Sequence, residues 1–281
     1  MNYDVIILRY GELSLKSTYV RKYFETMLIR NIQKAFKREN IPCDIRTERG
    51  RIYLSTSDQY KGIAILSRIF GIVSFSLALQ TPSTLQNITA IAQSLTQHVL
   101  HPAKSFAIRV TRVGTHPFSS QDIARHIGTD IVNTTHARVD LNNPDFELFI
   151  EIREKNAFLF TQKMKGVGGL PLGTQGTVLT IVKSPPSLLA AWSLMRRGCN
   201  SVIMSVNRSN ETVIRSFLAH WYAEAEIIFI DETSKEFYQQ ISHVVSEKKC
   251  DAVVTDHTIE TFSRAISEIK YLKQTSAVPI L

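Results

Sequence analysis

A glycine-rich segment, GVGGLPLGTQG at residues 166–176, divides the chain into two parts with different sequence patterns. It has five glycines in eleven residues, a composition that favours a flexible linker over a helix or a strand. Beyond it, short apolar runs alternate regularly with helical stretches, whereas the preceding part mixes strands and helices in another order. We therefore expect the 281 residues to form two or three domains of different architecture.

The part after the linker predicts an α/β domain. Strands are expected at 177–182, 201–206, 226–231 and 251–256, with a last one at VPIL (278–281). Helices are expected at 187–197, 209–224, 233–249 and 257–272. Short, continuously apolar strands joined by helical crossovers indicate a parallel sheet with helices on both faces.

The part before the linker predicts two α+β domains. Residues 1–80 follow the order βαββαβ, which is the ferredoxin-like arrangement. Its first helix, over 19–39, is amphipathic and rich in lysine and arginine. Residues 81–165 predict a helix capped near Thr81 or Ser83, a strand at 105–114, a helix at 119–134 and two further strands.

The net positive charge lies entirely in the first part. Residues 1–165 contain 22 Lys and Arg against 14 Asp and Glu, a net charge of +8, while residues 166–281 contain 11 of each, a net charge of zero. A basic part beside a neutral part is typical of a protein that meets a polyanion with one part only. The alternative is a solubilising surface without a partner, and composition does not decide between the two.

Composition and spacing argue against several other classes of protein. With 44% hydrophobic and 21% charged residues the chain is typical of globular proteins, and its apolar runs are too interrupted to span a membrane. Cys43, Cys199 and Cys250 are isolated, so we expect inert thiols and neither a disulfide framework nor a zinc site. The ten-residue spacing of the histidines at 116, 126 and 136 matches no metal site. Without a signal peptide, a soluble, cytoplasmic protein is expected.

Several segments resemble the tRNA 4-thiouridine synthetase (ThiI) family. They are RYGELSLK (9–16), the basic helix with Arg21 and Phe24, FGIVSFSLALQTPS (70–83), RVTRVGTHPF (109–118), DLNNPDFELFIEIRE (140–154) and the glycine-rich segment. The resemblance implies an N-terminal ferredoxin-like domain at 1–80, a THUMP domain at 81–165, a linker at 166–176 and a Rossmann-like PP-loop domain at 177–281. In that family the first two domains bind tRNA, and the third uses ATP to adenylate a uridine before sulfur is inserted.

The nucleotide loop of that family is altered here. The family's motif, S-G-G-x-D-S at a helix start, lets backbone N–H groups surround a pyrophosphate. Aligning the helix end AAWSLMRRG (190–198) places Val182, Lys183, Ser184, Pro185, Pro186 and Ser187 in the six motif positions, so that only the last serine is retained. The two prolines remove two donors and suit a plain helix entry. We therefore expect a degenerate nucleotide loop and no catalytic residue.

Two further departures from the family favour the same interpretation. DHTIET (256–261) stands where the family has a G-E-S-L-G-Q-like stretch, and the sequence reaches Leu281 without the family's later catalytic-cysteine segment. The resemblance, with these changes, implies a tRNA-binding protein that uses no cofactor. The candidate tRNA-binding residues are Arg9, Lys16, Arg21, Lys22, Arg109, Arg112, His116 and Arg125.

Other hypotheses stay open. The chain is alternatively an active ATP-dependent tRNA thiouridine synthetase with an altered loop, in which case ATP is its cofactor. The α/β domain is alternatively a docking module for a separate catalytic or sulfur-carrier protein, and the family's dimerisation makes a homodimer a further partner to consider. Within the candidate RNA surface, Arg109 and Arg112 are three residues apart, so they face opposite sides of a strand unless the strand ends between them.

Overall fold

The computed structural model describes residues 3–11, 17–48, 50–231, 236–257, 266, 269–270, 272–273 and 278–281. The chain divides into two compact units, the first made of residues 1–8, 44–56 and 74–164 and the second of residues 9–43, 57–73 and 165–281. These borders follow packing, and the domain boundaries given above remain predictions. No described helix is both long enough and apolar enough to cross a bilayer.

The first unit is built on one mixed β-sheet. Its strands are β1 Val5–Tyr10, β2 Cys43–Glu48, β3 Arg51–Thr56, β4 Ile72–Pro82, β5 Ser105–Val113, β6 Arg138–Val139, β7 Phe146–Arg153, β8 Asn156–Phe160 and β9 Met164–Lys165. Eight strands lie in the order β2-β3-β1-β4-β8-β7-β5-β6, and β9 pairs with β4. The antiparallel pairing of β4 with β8, with Leu79 opposite Leu159, joins the two predicted α+β domains in one continuous sheet.

Two helices, α3 Leu85–Thr96 and α4 Ser120–Thr135, form one apolar core of the first unit together with β5, β7 and β8. The α3 cap differs from the prediction, because Thr84 is the N-cap and accepts a hydrogen bond from Asn87 N. Thr81 belongs to β4, and the Ser83 hydroxyl donates instead to the Glu154 carbonyl at 2.9 Å.

The second unit contains the predicted α/β domain. Strands β10 Thr177–Val182, β11 Asn200–Ser205, β12 Ile227–Phe229 and β13 Ala252–Val254 form a parallel sheet in the order β12-β11-β10-β13. Helix α7 Phe237–Glu247 packs with Leu179 and Ile181 on one face, and helices α5 Leu188–Arg196 and α6 Glu211–His220 pack with Val182 and Ile203 on the other. Coverage of both faces confirms the fold prediction. A parallel bridge between Val253 and Ile280 lies in the predicted last strand, while most of the helix predicted at 257–272 lies outside the described residues.

The basic helix α1 Thr18–Arg38 and the short helix α2 Gln59–Leu66 also belong to the second unit. Asn31 Nδ2 donates to the Leu172 carbonyl at 3.0 Å, and Lys34 pairs with Glu224 at 3.0 Å. These contacts attach α1 to both the glycine-rich segment and the α/β domain.

The glycine-rich segment makes close contacts with its neighbours in the structure. The Gly168 N–H donates to Ile72 O at 2.8 Å, Leu170 N–H to Arg196 O at 2.9 Å and Gly173 N–H to Gly198 O at 2.9 Å. A Cβ at Gly169 would lie 2.1 Å from Arg196 O. The glycines therefore permit close backbone approach, a role that composition does not distinguish from flexibility.

Candidate nucleotide and nucleic-acid sites

The altered loop lies at the carboxyl edge of the parallel sheet, where α/β proteins bind their ligands. Strand β10 lies between β11 and β13 and ends at Val182. Pro185–Ser187 then form one turn of 3₁₀ helix, and α5 begins at Leu188. The predicted helix entry at the two prolines is thus present in the structure.

The one serine retained from the family motif is bound within the protein. Ser187 is fully buried, and its Oγ donates to Asp256 Oδ2 at 2.6 Å while accepting from the Ser184 N–H at 3.2 Å. A carboxylate beside this hydroxyl repels phosphate oxygens, because both groups are negatively charged. The Ser187–Asp256 pair therefore opposes binding of a phosphate at the retained serine.

The neighbouring loop after β11 is held by similar internal contacts. Asn210 Nδ2 donates to the Lys183 carbonyl and to Ser205 Oγ, each at 3.4 Å. Ser205 Oγ in turn contacts the Val182 carbonyl at 3.3 Å. Side chains at and after the end of β11 thus donate to the Val182 and Lys183 carbonyls, which fixes the backbone at the start of the altered loop.

Sequence reasoning did not assign a role to Asp256. The residue was predicted only as the end of the strand at 251–256 and the start of DHTIET, and most of that stretch, 258–261, lies outside the described residues. The available signal was positional, because Asp256 follows β13, the strand beside β10, and carboxyl ends of neighbouring parallel strands meet at one edge.

The N-terminal end of α1 is the clearest anion-attracting feature among the predicted RNA-binding residues. Arg21 is half-buried and Lys22 exposed, both near an N-terminus whose first turn has no acidic residue. The positive end of the helix dipole adds to their charge. Arg9 is half-buried at the end of β1, and Lys16 lies outside the described residues.

Arg109 and Arg112 do not share a surface. Strand β5 continues through Val113, so their side chains lie on opposite faces of the sheet. Arg109 Nε pairs with Glu147 at 2.9 Å, and its second nitrogen donates to Leu141 O at 2.7 Å. Arg112 donates to the Gly114 carbonyl at 3.1 Å. Two Arg109 donors are thus used inside the domain.

Of the last two predicted residues, His116 precedes helix α4 and Arg125 lies within it. His116 contacts the Glu154 carbonyl at 2.7 Å and stacks on Phe118 with ring centroids 5.4 Å apart. Arg125 is exposed on α4, 3.8 Å from Asp122, where solvent makes the ion pair weak. Hydrogen bonds from Ser119 hold the pKa of Asp122 below its ordinary value. Arg125 also borders a groove of about 360 Å³ beside α4.

The cysteines offer little nucleophilic chemistry. Burial raises the pKa of the Cys199 and Cys250 thiols, so both are protonated and weakly nucleophilic at neutral pH. Cys43 is half-buried. Within the described part of the chain, no group of three His, Cys, Asp or Glu side chains is placed to hold a metal ion.

Comparison with known proteins identifies relatives of the first two domains. Residues 5–76 match the ThiI ferredoxin-like domain, and residues 82–162 match the THUMP domain. A probable tRNA sulfurtransferase of Methanobrevibacter smithii is 39% identical over 213 residues, covering 73% of this chain. The match covers 54% of that protein, so the chain spans about half the length of this relative.

Two solved structures resemble the fold along nearly the whole chain. PH1313 from Pyrococcus horikoshii superposes with a TM-score of 0.85 at 28% identity, covering 99% of this chain and 93% of that one. A 4-thiouridine synthetase in a complex with RNA and bound ATP superposes with a TM-score of 0.79 at 19% identity, covering 100% of this chain and 80% of that one. The likeness to both structures extends beyond the two matched domains and includes the α/β domain.

Proposed function

Because the chain belongs to the ThiI family of THUMP-domain proteins, we propose that it binds tRNA near the acceptor stem without ATP-dependent chemistry of its own. The family matches at 5–76 and 82–162 support RNA binding by the first two domains, and the net charge of +8 over residues 1–165 suits a polyanion. Structured RNA is recognised mainly through shape, phosphates and 2′-hydroxyl groups, so no base-reading motif is required.

The Ser187–Asp256 hydrogen bond is the observation that carries the second half of the proposal. It uses the hydroxyl of the retained serine and places a carboxylate beside it. Pro185 and Pro186, at the variable and acidic positions of the family motif, supply no N–H donors at this turn, and Lys183 and Ser184 replace its two glycines. Both features disfavour phosphate binding at the same turn.

We expect ATP with Mg²⁺ to leave the thermal unfolding temperature of this protein unchanged, while a tRNA acceptor-stem hairpin raises it. A ligand stabilises the folded state only in proportion to its binding, by about 2.7 kcal/mol at a hundredfold excess over Kd. Isothermal titration calorimetry with both ligands on one preparation measures the same difference directly. The 4-thiouridine synthetase whose structure contains ATP serves as the positive control.

A second candidate is an active tRNA sulfurtransferase that adenylates through the altered loop. The name of the Methanobrevibacter relative favours it. It requires tRNA-dependent release of pyrophosphate from ATP, which a coupled phosphate assay detects. Turnover in that assay would contradict the proposal that the protein has no ATP-dependent chemistry. It would not contradict the proposal that the protein binds tRNA.

A further inference from the structure

An open apolar groove of about 630 Å³ lies between α5 and α6. Its lining includes Pro185, Pro186, Leu189, Trp192, Phe217 and Trp221. Leu189 is 68% exposed, and Val213 on the opposite wall is 43% exposed. Side chains of this size at a surface mark a site for a partner when they form one continuous patch.

The floor of the groove is fixed by aromatic packing. Phe70 stacks on Trp221 with centroids 5.4 Å apart and lies 6.3 Å from the Trp192 ring. The two indoles are themselves 5.8 Å apart. Rings held from behind in this way lose little conformational entropy when a ligand covers them, so the groove is ready for binding.

The charges around the groove favour an acidic partner. Arg196 lies over the Trp192 ring at 5.4 Å, and its polar contact is a hydrogen bond to the Val167 carbonyl at 3.0 Å. No described carboxylate forms an ion pair with Arg196. Glu211 at the start of α6 and Glu224 after its end are paired, with Arg215 at 2.7 Å and Lys34 at 3.0 Å.

We propose that this groove docks an amphipathic helix of another protein, with apolar side chains between α5 and α6 and acidic side chains beside Arg196. A groove between two helices suits a helix that presents apolar residues at i, i+3, i+4 and i+7. Pro185 and Pro186 form part of the wall, so the residues that remove phosphate donors also extend an apolar surface. The inference is independent of the RNA-binding proposal.

The chain has two tryptophans, and both line the groove, so intrinsic fluorescence reports its occupancy directly. The probe is a synthetic tryptophan-free helix of about five turns with leucines along one side and glutamates on its flanks. We expect this peptide to shift the tryptophan emission saturably. The same helix with lysine flanks should bind at least about tenfold more weakly. Leu189→Glu should abolish the shift, because it places a charge in the groove at an exposed position.

Val139→Glu, at a residue 54% exposed in the first unit, is the matched control and should bind the glutamate peptide like the unmodified protein. Arg196→Glu should reverse the preference between the two peptides. Equal binding of both peptides, or binding of neither, would overturn the proposal. So would concentration-dependent dimerisation that Leu189→Glu abolishes, since the occupant would then be a second copy of this chain.

Discussion

A double variant, Arg21→Gln with Lys22→Gln, is expected to lose about tenfold to a hundredfold in affinity for a tRNA acceptor-stem hairpin near 0.1 M salt. The reason is electrostatic, since both side chains lie at the positive end of α1 and no described carboxylate forms an ion pair with them. Each phosphate contact also releases counterions, so the slope of log K against log salt should become shallower by about 2. Fluorescence anisotropy with a labelled hairpin over a salt series measures both quantities.

The control removes the same charge from the neutral part of the chain. Arg197 and Lys249 are exposed in the α/β domain, and Arg197→Gln with Lys249→Gln should leave both the affinity and the salt slope nearly unchanged. Similar losses in the two double variants would show that only the overall charge of the protein matters. An unchanged salt slope in the Arg21 and Lys22 variant would show that these two side chains of α1 do not contact RNA phosphates.

The parallel sheet could be predicted because its evidence is local. Each strand of the α/β domain is a short apolar run, and β10 was predicted with the bounds that the structure shows, 177–182. The helix entry at Pro185 and Pro186 follows from the fixed φ and missing N–H of proline, which are properties of the residue itself. Where the chemistry of the residue itself decides the backbone conformation, that conformation can be predicted from a single sequence.

The contacts of the candidate sites depend on residues distant in the sequence and could not be predicted in the same way. Ser187 and Asp256 are 69 residues apart, and their hydrogen bond depends on which strands are neighbours in the sheet. Thr84 is the N-cap of α3 because the Ser83 hydroxyl donates instead to the Glu154 carbonyl, in the turn between β7 and β8. Serine and threonine are equally suitable N-caps by residue type, so a tertiary contact decided which of them caps α3.

Gly169→Ala is expected to destabilise the second unit by about 3 to 5 kcal/mol. Gly169 has φ +78, a conformation that disfavours any residue with a Cβ, and that Cβ would lie 2.1 Å from Arg196 O and 2.7 Å from Arg196 Cγ. Relief of the clash would separate the segment from α5 and break the 2.9 Å hydrogen bond from Leu170 N–H to Arg196 O. Urea unfolding followed by circular dichroism at the helix band measures the loss.

Gly128→Ala makes the same chemical change where space and conformation allow it, and it should stabilise the protein by about 0.5 to 1 kcal/mol. Gly128 lies inside α4, and its added Cβ would meet only Ile108 Cδ1, at the ordinary distance of 3.8 Å. Opposite signs for the two variants would show that the glycines of 166–176 are required for close packing. If Gly169→Ala were neutral, the segment would be the flexible linker that its composition predicts, because a mobile backbone moves away from the clash at little cost.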